Sequence, residues 1–253
     1  MLTSRVPAPA LAASIERFWC SEEYCAPHRF ERVLPSGRFQ LIVPMNGPPL
    51  AVGLQSRASL VETSAMRSVM GVVFRPGGAR QFLEGGADQF QDREIALDQV
   101  WDNEALRMRD RVWEAGAPAA KLAALEAFFL AREPANPTMH PAVVYALQEF
   151  QNHPHLARVC EVARDARLSR RRLGELFREQ VGVAPKLFCR IQRFQRVIRR
   201  ASMGLRIEWA DVAADCGYFD QAHLSGDFRE FTGDTPGEFL GRHRAHLNHV
   251  ALD

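Results

Sequence analysis

The period of the hydrophobic pattern changes near the middle of the chain. In the first part, apolar residues come in short runs: Phe30–Val33, Phe39–Val43, Leu50–Leu54 and Ser68–Phe74. Pro35-Ser36-Gly37, Asn46-Gly47-Pro48-Pro49 and Pro76-Gly77-Gly78 cut these runs apart. Short apolar runs between turn formers read as strands, so this half predicts a small sheet or barrel. Ala79–Leu83, Leu97–Trp113 and Ala119–Arg132 add helical pieces, the last with Leu122, Leu125, Phe129 and Leu130 near helical spacing. Glu133-Pro134-Ala135-Asn136-Pro137-Thr138 follows, and its two prolines predict an extended linker. The chain thus divides into residues 1–133, a linker at 134–138, and residues 139–253, where the pattern is helical almost to the end. The fold class expected is α+β: a β-rich N-terminal domain, then an all-α domain of seven helices.

Within the second half the pattern repeats. A first unit begins near His155, with Leu156, Val159, Cys160 and Ala163 on one helical face. Ala166-Arg167-Leu168 is a turn, and Ser169 is placed to cap the next helix, its hydroxyl accepting from a free amide of the first turn. Leu173, Leu176 and Phe177 bury one side of that helix, which Gly182 ends and Pro185 separates from the next. Leu187, Ile191, Phe194, Val197, Ile198 and Ala201 then mark an amphipathic helix of about 18 residues, roughly 27 Å long. A second unit has the same plan. Ile207, Trp209, Ala210, Val212, Ala213 and Cys216 form a short helix, Gly217 breaks it, and Asp220 caps a helix carrying Leu224, Phe228 and Phe231. Phe177, Gly182 and Pro185 recur as Phe228, Gly233 and Pro236 at the same spacings. Two such hairpins in series read as two helix-turn-helix units.

Charge sharpens this reading. The 253 residues carry a net charge of only +2. Yet residues 158–206 hold fourteen bases against four acids, a balance of +10, and thirteen of the fourteen are arginine. Residues 207–253 hold three bases against nine acids, a balance of −6. A concentrated basic block is the footprint of phosphate binding, and arginine forks onto phosphates and guanine edges better than lysine does.

Residues 155–244 resemble the AraC/XylS DNA-binding domain. The resemblance is carried above all by the gapless run from Asp211 to Phe239, through Cys216-Gly217-Tyr218-Phe219-Asp220-Gln221-Ala222-His223-Leu224 and Phe231-Thr232-Gly233-Asp234-Thr235-Pro236. It implies a transcription regulator whose two units, joined by the long helix, read successive major-groove segments of double-stranded DNA. The implied DNA-binding residues are Ser169, Arg170, Arg171, Arg172 and Arg178 in the first unit, with Arg190 of the basic block, and Gln221, His223 and Ser225 in the second. Two positions depart from the family, which often carries arginine two residues before the recognition-helix Phe; here they hold Glu175 and Gly226. With the acidic surroundings, this implies a weaker or more shape-dependent grip by the second unit.

Leu34-Pro35-Ser36-Gly37-Arg38-Phe39-Gln40-Leu41 and Val73-Phe74-Arg75-Pro76-Gly77-Gly78-Ala79 resemble the small β-rich domain, often cupin-like, that precedes this DNA-binding domain in some members. That implies binding of a small-molecule effector or dimerisation, with Trp19, Arg38, Phe39, Phe74 and Arg75 as effector-binding candidates. Further candidate partners are RNA polymerase and a second copy of the chain. Activation is the role taken first, with repression open.

Composition narrows the alternatives. Apolar residues make up 47% and charged residues 25%, which is ordinary globular usage. No stretch approaches the roughly 18 apolar residues of a membrane span. There is no signal-peptide pattern, so a cytoplasmic protein without a membrane partner is expected. Cysteines 20, 25, 160, 189 and 216 are odd in number and irregularly spaced, which fits free thiols in a reducing compartment. No catalytic constellation, phosphate loop or metal-ligand set can be assembled, and His28 is the only histidine of the first half. No enzyme, metal or cofactor is therefore expected. Two rivals remain: a repair protein that accepts an alkyl group on a cysteine thiolate, with Cys20 and Cys25 available, and a module whose helical half docks another protein. His223 reads as a hydrogen-bonding surface group, and Trp113 and Trp209 as core.

Overall fold

A computed structural model describes residues 2–63, 67–136, 138–153, 158–203, 207–242 and 246–252. His155 and Leu156, expected at the start of the first unit, and Pro137 of the linker lie outside them. The N-terminal half is built on antiparallel strands: β1 (Leu2–Arg5), β2 (Ile15–Ser21), β3 (Phe30–Val33), β4 (Gln40–Pro44), β5 (Leu50–Val52), β6 (Ser59–Glu62), β7 (Val69–Phe74) and β8 (Glu94–Ala96). Six of them form one sheet in the order β1-β2-β7-β4-β5-β8. β7 lies between β2 and β4 and is buried at every position, which explains its unbroken apolar sequence Val-Met-Gly-Val-Val-Phe. The helices α1 (Asp98–Trp101), α2 (Asn103–Glu114) and α3 (Pro118–Ala131) complete this half. Phe129 of α3 packs edge-on against Phe74 and Phe82, ring centroids 5.9 and 4.9 Å away.

Two expectations are corrected here. Leu97–Trp113 is not one helix: Asp102, with φ 48°, breaks it after Trp101. The break turns Trp101 inward, where its indole N–H donates to the Phe82 carbonyl at 2.7 Å. Nor is the far end helical, since His249–Leu252 forms a ninth strand, β9. It pairs antiparallel with β3, so that the second sheet runs β6-β3-β9 and joins the two halves of the chain.

The C-terminal half contains the seven expected helices: α4 (Pro141–Asn152), α5 (Val159–Asp165), α6 (Arg170–Val181), α7 (Pro185–Ala201), α8 (Trp209–Asp215), α9 (Gln221–Thr232) and α10 (Pro236–Leu240). Its packing does not stop at the linker. The Ala135 N–H donates to the Gln81 carbonyl at 2.7 Å, and the Asn136 amide reaches the Arg80 carbonyl at 3.0 Å, so this stretch lies against the first half. One continuous apolar core includes Phe18, Phe74 and Phe129 together with Phe150, Phe177 and Phe188. A second core gathers Phe194, Phe228, Phe231 and Phe239 with Leu34 from the first half and Val250 of β9.

Polar contacts tie the second sheet to the second unit. Arg32 donates to Asp234 at 2.9 Å and to the Thr232 carbonyl. The Gln195 amide donates to the Pro35 carbonyl at 2.7 Å. Glu31 is buried between the strands; its carboxylate meets His249 Nδ1 at 2.8 Å and His28 Nε2 at 2.7 Å, and accepts from the Tyr24 hydroxyl at 3.1 Å. Chiefly the His249 contact, and then that of His28, holds the carboxyl down at about 2 against an ordinary 4.5. A carboxyl lowered in the fold stabilises it above the ordinary value and ceases to do so as pH falls toward 2. In denaturant titrations, the wild-type midpoint should therefore fall between about pH 4.5 and 2. Glu31→Gln should start lower at neutral pH and fall less over that window. Equal slopes would show that this carboxylate does not hold the second sheet.

Candidate nucleic-acid interface

Each unit is a short helix, a turn and a longer helix whose inner face is apolar and whose first three residues are exposed. In the first, the Ser169 hydroxyl accepts from the Arg172 N–H at 3.1 Å and caps α6. Leu173, Leu176 and Phe177 are buried, which fixes the roll of the helix and leaves Arg170, Arg171, Arg172 and Arg178 exposed on its other faces. In the second, the Asp220 carboxylate accepts from the His223 N–H at 2.7 Å and caps α9. Leu224, Phe228 and Phe231 point inward, Gln221 and His223 are exposed, and Ser225 is half-buried. Both longer helices end on glycine in the left-handed conformation, Gly182 with φ 104° and Gly233 with φ 81°, where a side chain is strained. Pro185 and Pro236 then open α7 and α10.

Between α5, α6 and the start of α7 runs a groove lined by Arg170, Arg171, Arg178 and Lys186, with Cys160 and Glu175 on its walls. Glu175, which departs from the resemblance, accepts from the Arg171 guanidinium at 2.8 Å and lies 3.7 Å from Arg172. Arg171 in turn lowers the Glu175 carboxyl below its ordinary range. The pair is solvent-exposed and so easily exchanged. Sequence reasoning counted Lys186 only as part of the basic block. Its place one residue after Pro185, at the mouth of a helix, was the signal that could have singled it out.

Arg190 sits elsewhere. Its guanidinium donates to Asp227 at 2.7 Å and to Glu230 at 2.5 Å, and it stacks 5.1 Å from the Phe231 ring. Glu230 above all, with Asp227, raises this guanidinium further above its ordinary value. Arg190 thus ties α7 to α9 rather than facing outward with the α6 arginines, and Arg193 stands 3.9 Å from the other Asp227 oxygen.

The effector-binding candidates differ in their surroundings. Phe39 and Phe74 are core, 3% and 1% exposed, with ring centroids 6.0 Å apart. Arg38 pairs with Glu16 at 2.6 Å, and Arg75 donates to the Ala12 carbonyl at 2.7 Å. Trp19 is half-buried on β2. Burial pushes the Cys20 thiol up to about 11, the opposite of an activated thiolate, and Cys25 is exposed and free. Among the described residues no group of three or more His, Cys, Asp or Glu is arranged to hold a metal ion, and no helix is long and apolar enough to cross a membrane.

Residues 162–242 match a family described as a helix-turn-helix domain. The arabinose operon regulatory protein of Escherichia coli (strain K12) is 31% identical over 135 residues, 51% of this chain and 46% of that protein. The C-terminal half thus carries a helix-turn-helix domain similar to part of the arabinose operon regulatory protein. The chain spans about half the length of this curated relative. Residues 3–96, ahead of the helix-turn-helix domain, match a family described as a domain of unknown function (DUF6597). Among solved structures, the C-terminal domain of AraT, a response regulator from Geobacillus stearothermophilus, shares 22% identity. The similarity covers 40% of this chain and 85% of that one, with a TM-score of 0.37. ToxT from Vibrio cholerae shares 10% identity over 95% of this chain and 97% of its own, with a TM-score of 0.46.

The Arg190 contact is testable as a strut of the helix-turn-helix domain. Arg190→Ala strands the buried Asp227 carboxylate with only Arg193 nearby, and should destabilise the protein by about 2 kcal/mol in denaturant unfolding. Arg190→Ala/Asp227→Asn should recover part of that loss. A single variant as stable as wild type would show that the pair is not structural.

Proposed function

We propose that this protein is a cytoplasmic, sequence-specific DNA-binding transcription regulator, not an enzyme, whose N-terminal half takes a small-molecule effector. The observation that carries this reading is the pair of capped helices α6 and α9, each with a polar outer face, held at fixed spacing by α7. A helix of this kind enters the major groove with its N-terminal residues toward the base edges. Ser169, Arg170, Arg171 and Arg172 stand there in the first unit, and Gln221, His223 and Ser225 in the second. Arginine matches guanine O6 and N7, and glutamine matches the adenine edge. Arg178 and Lys186, at the far side of the groove beside α6, are suited to phosphate oxygens. Arg190 supports the interface from behind.

The docking of the second sheet on the second unit supports a regulatory role for the N-terminal half. A ligand that shifts β3 acts on Arg32 and hence on Asp234, directly after α9. RNA polymerase and a second copy of the chain are the further partners of this reading, and activation is the outcome it takes first.

Selection of bound sequences from a random DNA pool by the intact chain, at two salt concentrations, tests the proposal. It should enrich one motif with two blocks about ten base pairs apart. Arg171→Ala should relax preference at one or two positions of one block and weaken binding by about tenfold. Lys186→Ala should weaken all sequences alike and flatten the salt dependence by about one counterion. Binding that enriches no motif and merely fades with salt would leave a non-specific phosphate surface in place of a regulator.

A further inference from the structure

The two units correspond residue for residue until their turns. Arg167 and Gly217, fifty positions apart, both adopt positive φ, 57° and 81°. The next residues, Leu168 and Tyr218, do the same work. Each backbone N–H donates to the carbonyl five residues back, Ala163 at 2.9 Å and Ala213 at 2.8 Å, and each side chain packs on a core. The helix caps, however, are Ser169 and Asp220, fifty-one positions apart. The second turn is one residue longer, and the additional residue is Phe219.

Phe219 has no part in folding that the structure shows. Its side chain is 90% exposed, more than any other large hydrophobic side chain among the described residues. Its backbone is nevertheless held in place: the N–H donates to His223 Nδ1 at 3.4 Å, while the His223 ring leans edge-on against Tyr218 at 5.1 Å. A ring is thus carried at the entrance of α9, next to Gln221, on the end of the helix that faces DNA in the proposed function. The surroundings are acidic, and α9 carries no arginine or lysine in its first turn; Arg229 is in its last. Guanidinium contacts of the kind α6 offers are missing there, and an apolar contact is indifferent to that negative charge. The one apolar feature on the edge of a base pair in the major groove is the thymine methyl group.

We infer that Phe219 is a base-reading residue of the second unit and packs on the 5-methyl group of a thymine. This rests on the proposed function, and the experiment separates the two. From the motif enriched by the intact chain, the block whose preference shifts in Gln221→Ala is assigned to the second unit. Duplexes with each thymine of that block replaced by deoxyuridine, which lacks only the methyl, are then titrated with wild type and Phe219→Ala. The ring is exposed, so its removal leaves the fold intact. One replacement should weaken wild type by roughly fourfold, the worth of one buried methyl group. Phe219→Ala should lose at least as much on thymine DNA and no longer distinguish the two bases. A block without thymine, a wild type blind to every replacement, or a variant as methyl-sensitive as wild type overturns the assignment alone. A variant that binds more weakly with no methyl dependence in wild type makes Phe219 a wedge or a sugar contact, and overturns it too. A chain that enriches no motif removes the regulator reading and this one with it.

Discussion

Everything in the C-terminal half depends on the burial of one helix in two cores. The early turns of α7 place Phe188 and Cys189 in the first core; its later turns place Ile191, Phe194, Val197 and Ile198 in the second. A helix gripped at both ends cannot roll without opening one core or the other. Its 17 residues therefore fix the separation and the mutual rotation of α6 and α9. Interiors packed this tightly transmit displacement rather than absorb it. The glycine and proline at each helix junction set where the chain turns, while the phenylalanines decide which way each helix faces.

The charge pattern follows the same division of labour. Arginines with no core to serve stand out on α6 and are loosely tethered by Glu175. The arginine drawn inward, Arg190, is held by Asp227 and Glu230 and cross-links α7 to α9. Residues of one type in one basic block therefore have two physical fates, and the difference is whether an acid from a neighbouring helix lies within reach. Sequence distance hides this, because Asp227 is 37 residues from Arg190.

Legibility followed how local the determining forces are. Phe30–Val33 was read with its observed ends, and Ser68–Phe74 to within a residue, because an unbroken apolar run between turn formers is a local signal. The caps Ser169 and Asp220 were equally plain. β2 went unread because its register shifts between Ile15 and Arg17 and spoils the alternation. β1 went unread because it is an edge strand with no buried residue. β9 is four residues long and becomes a strand only beside β3. The effector candidates are hard to read for another reason: Phe39 and Phe74 look alike in sequence whether they line a cavity or fill a core, and both are buried here.

The pairing of β9 with β3 also bears on how the protein comes off the ribosome. Glu31 and His249 are 218 residues apart, so the second sheet remains a two-stranded ribbon until everything between them has been made. Such a ribbon is marginal on its own, and β3 meanwhile shows an unpaired edge. The closing strand arrives only after α9 and α10, the elements it will hold. Assembly of the second unit and completion of that sheet are thus a single late event. The nascent chain is most open to misassociation just before it.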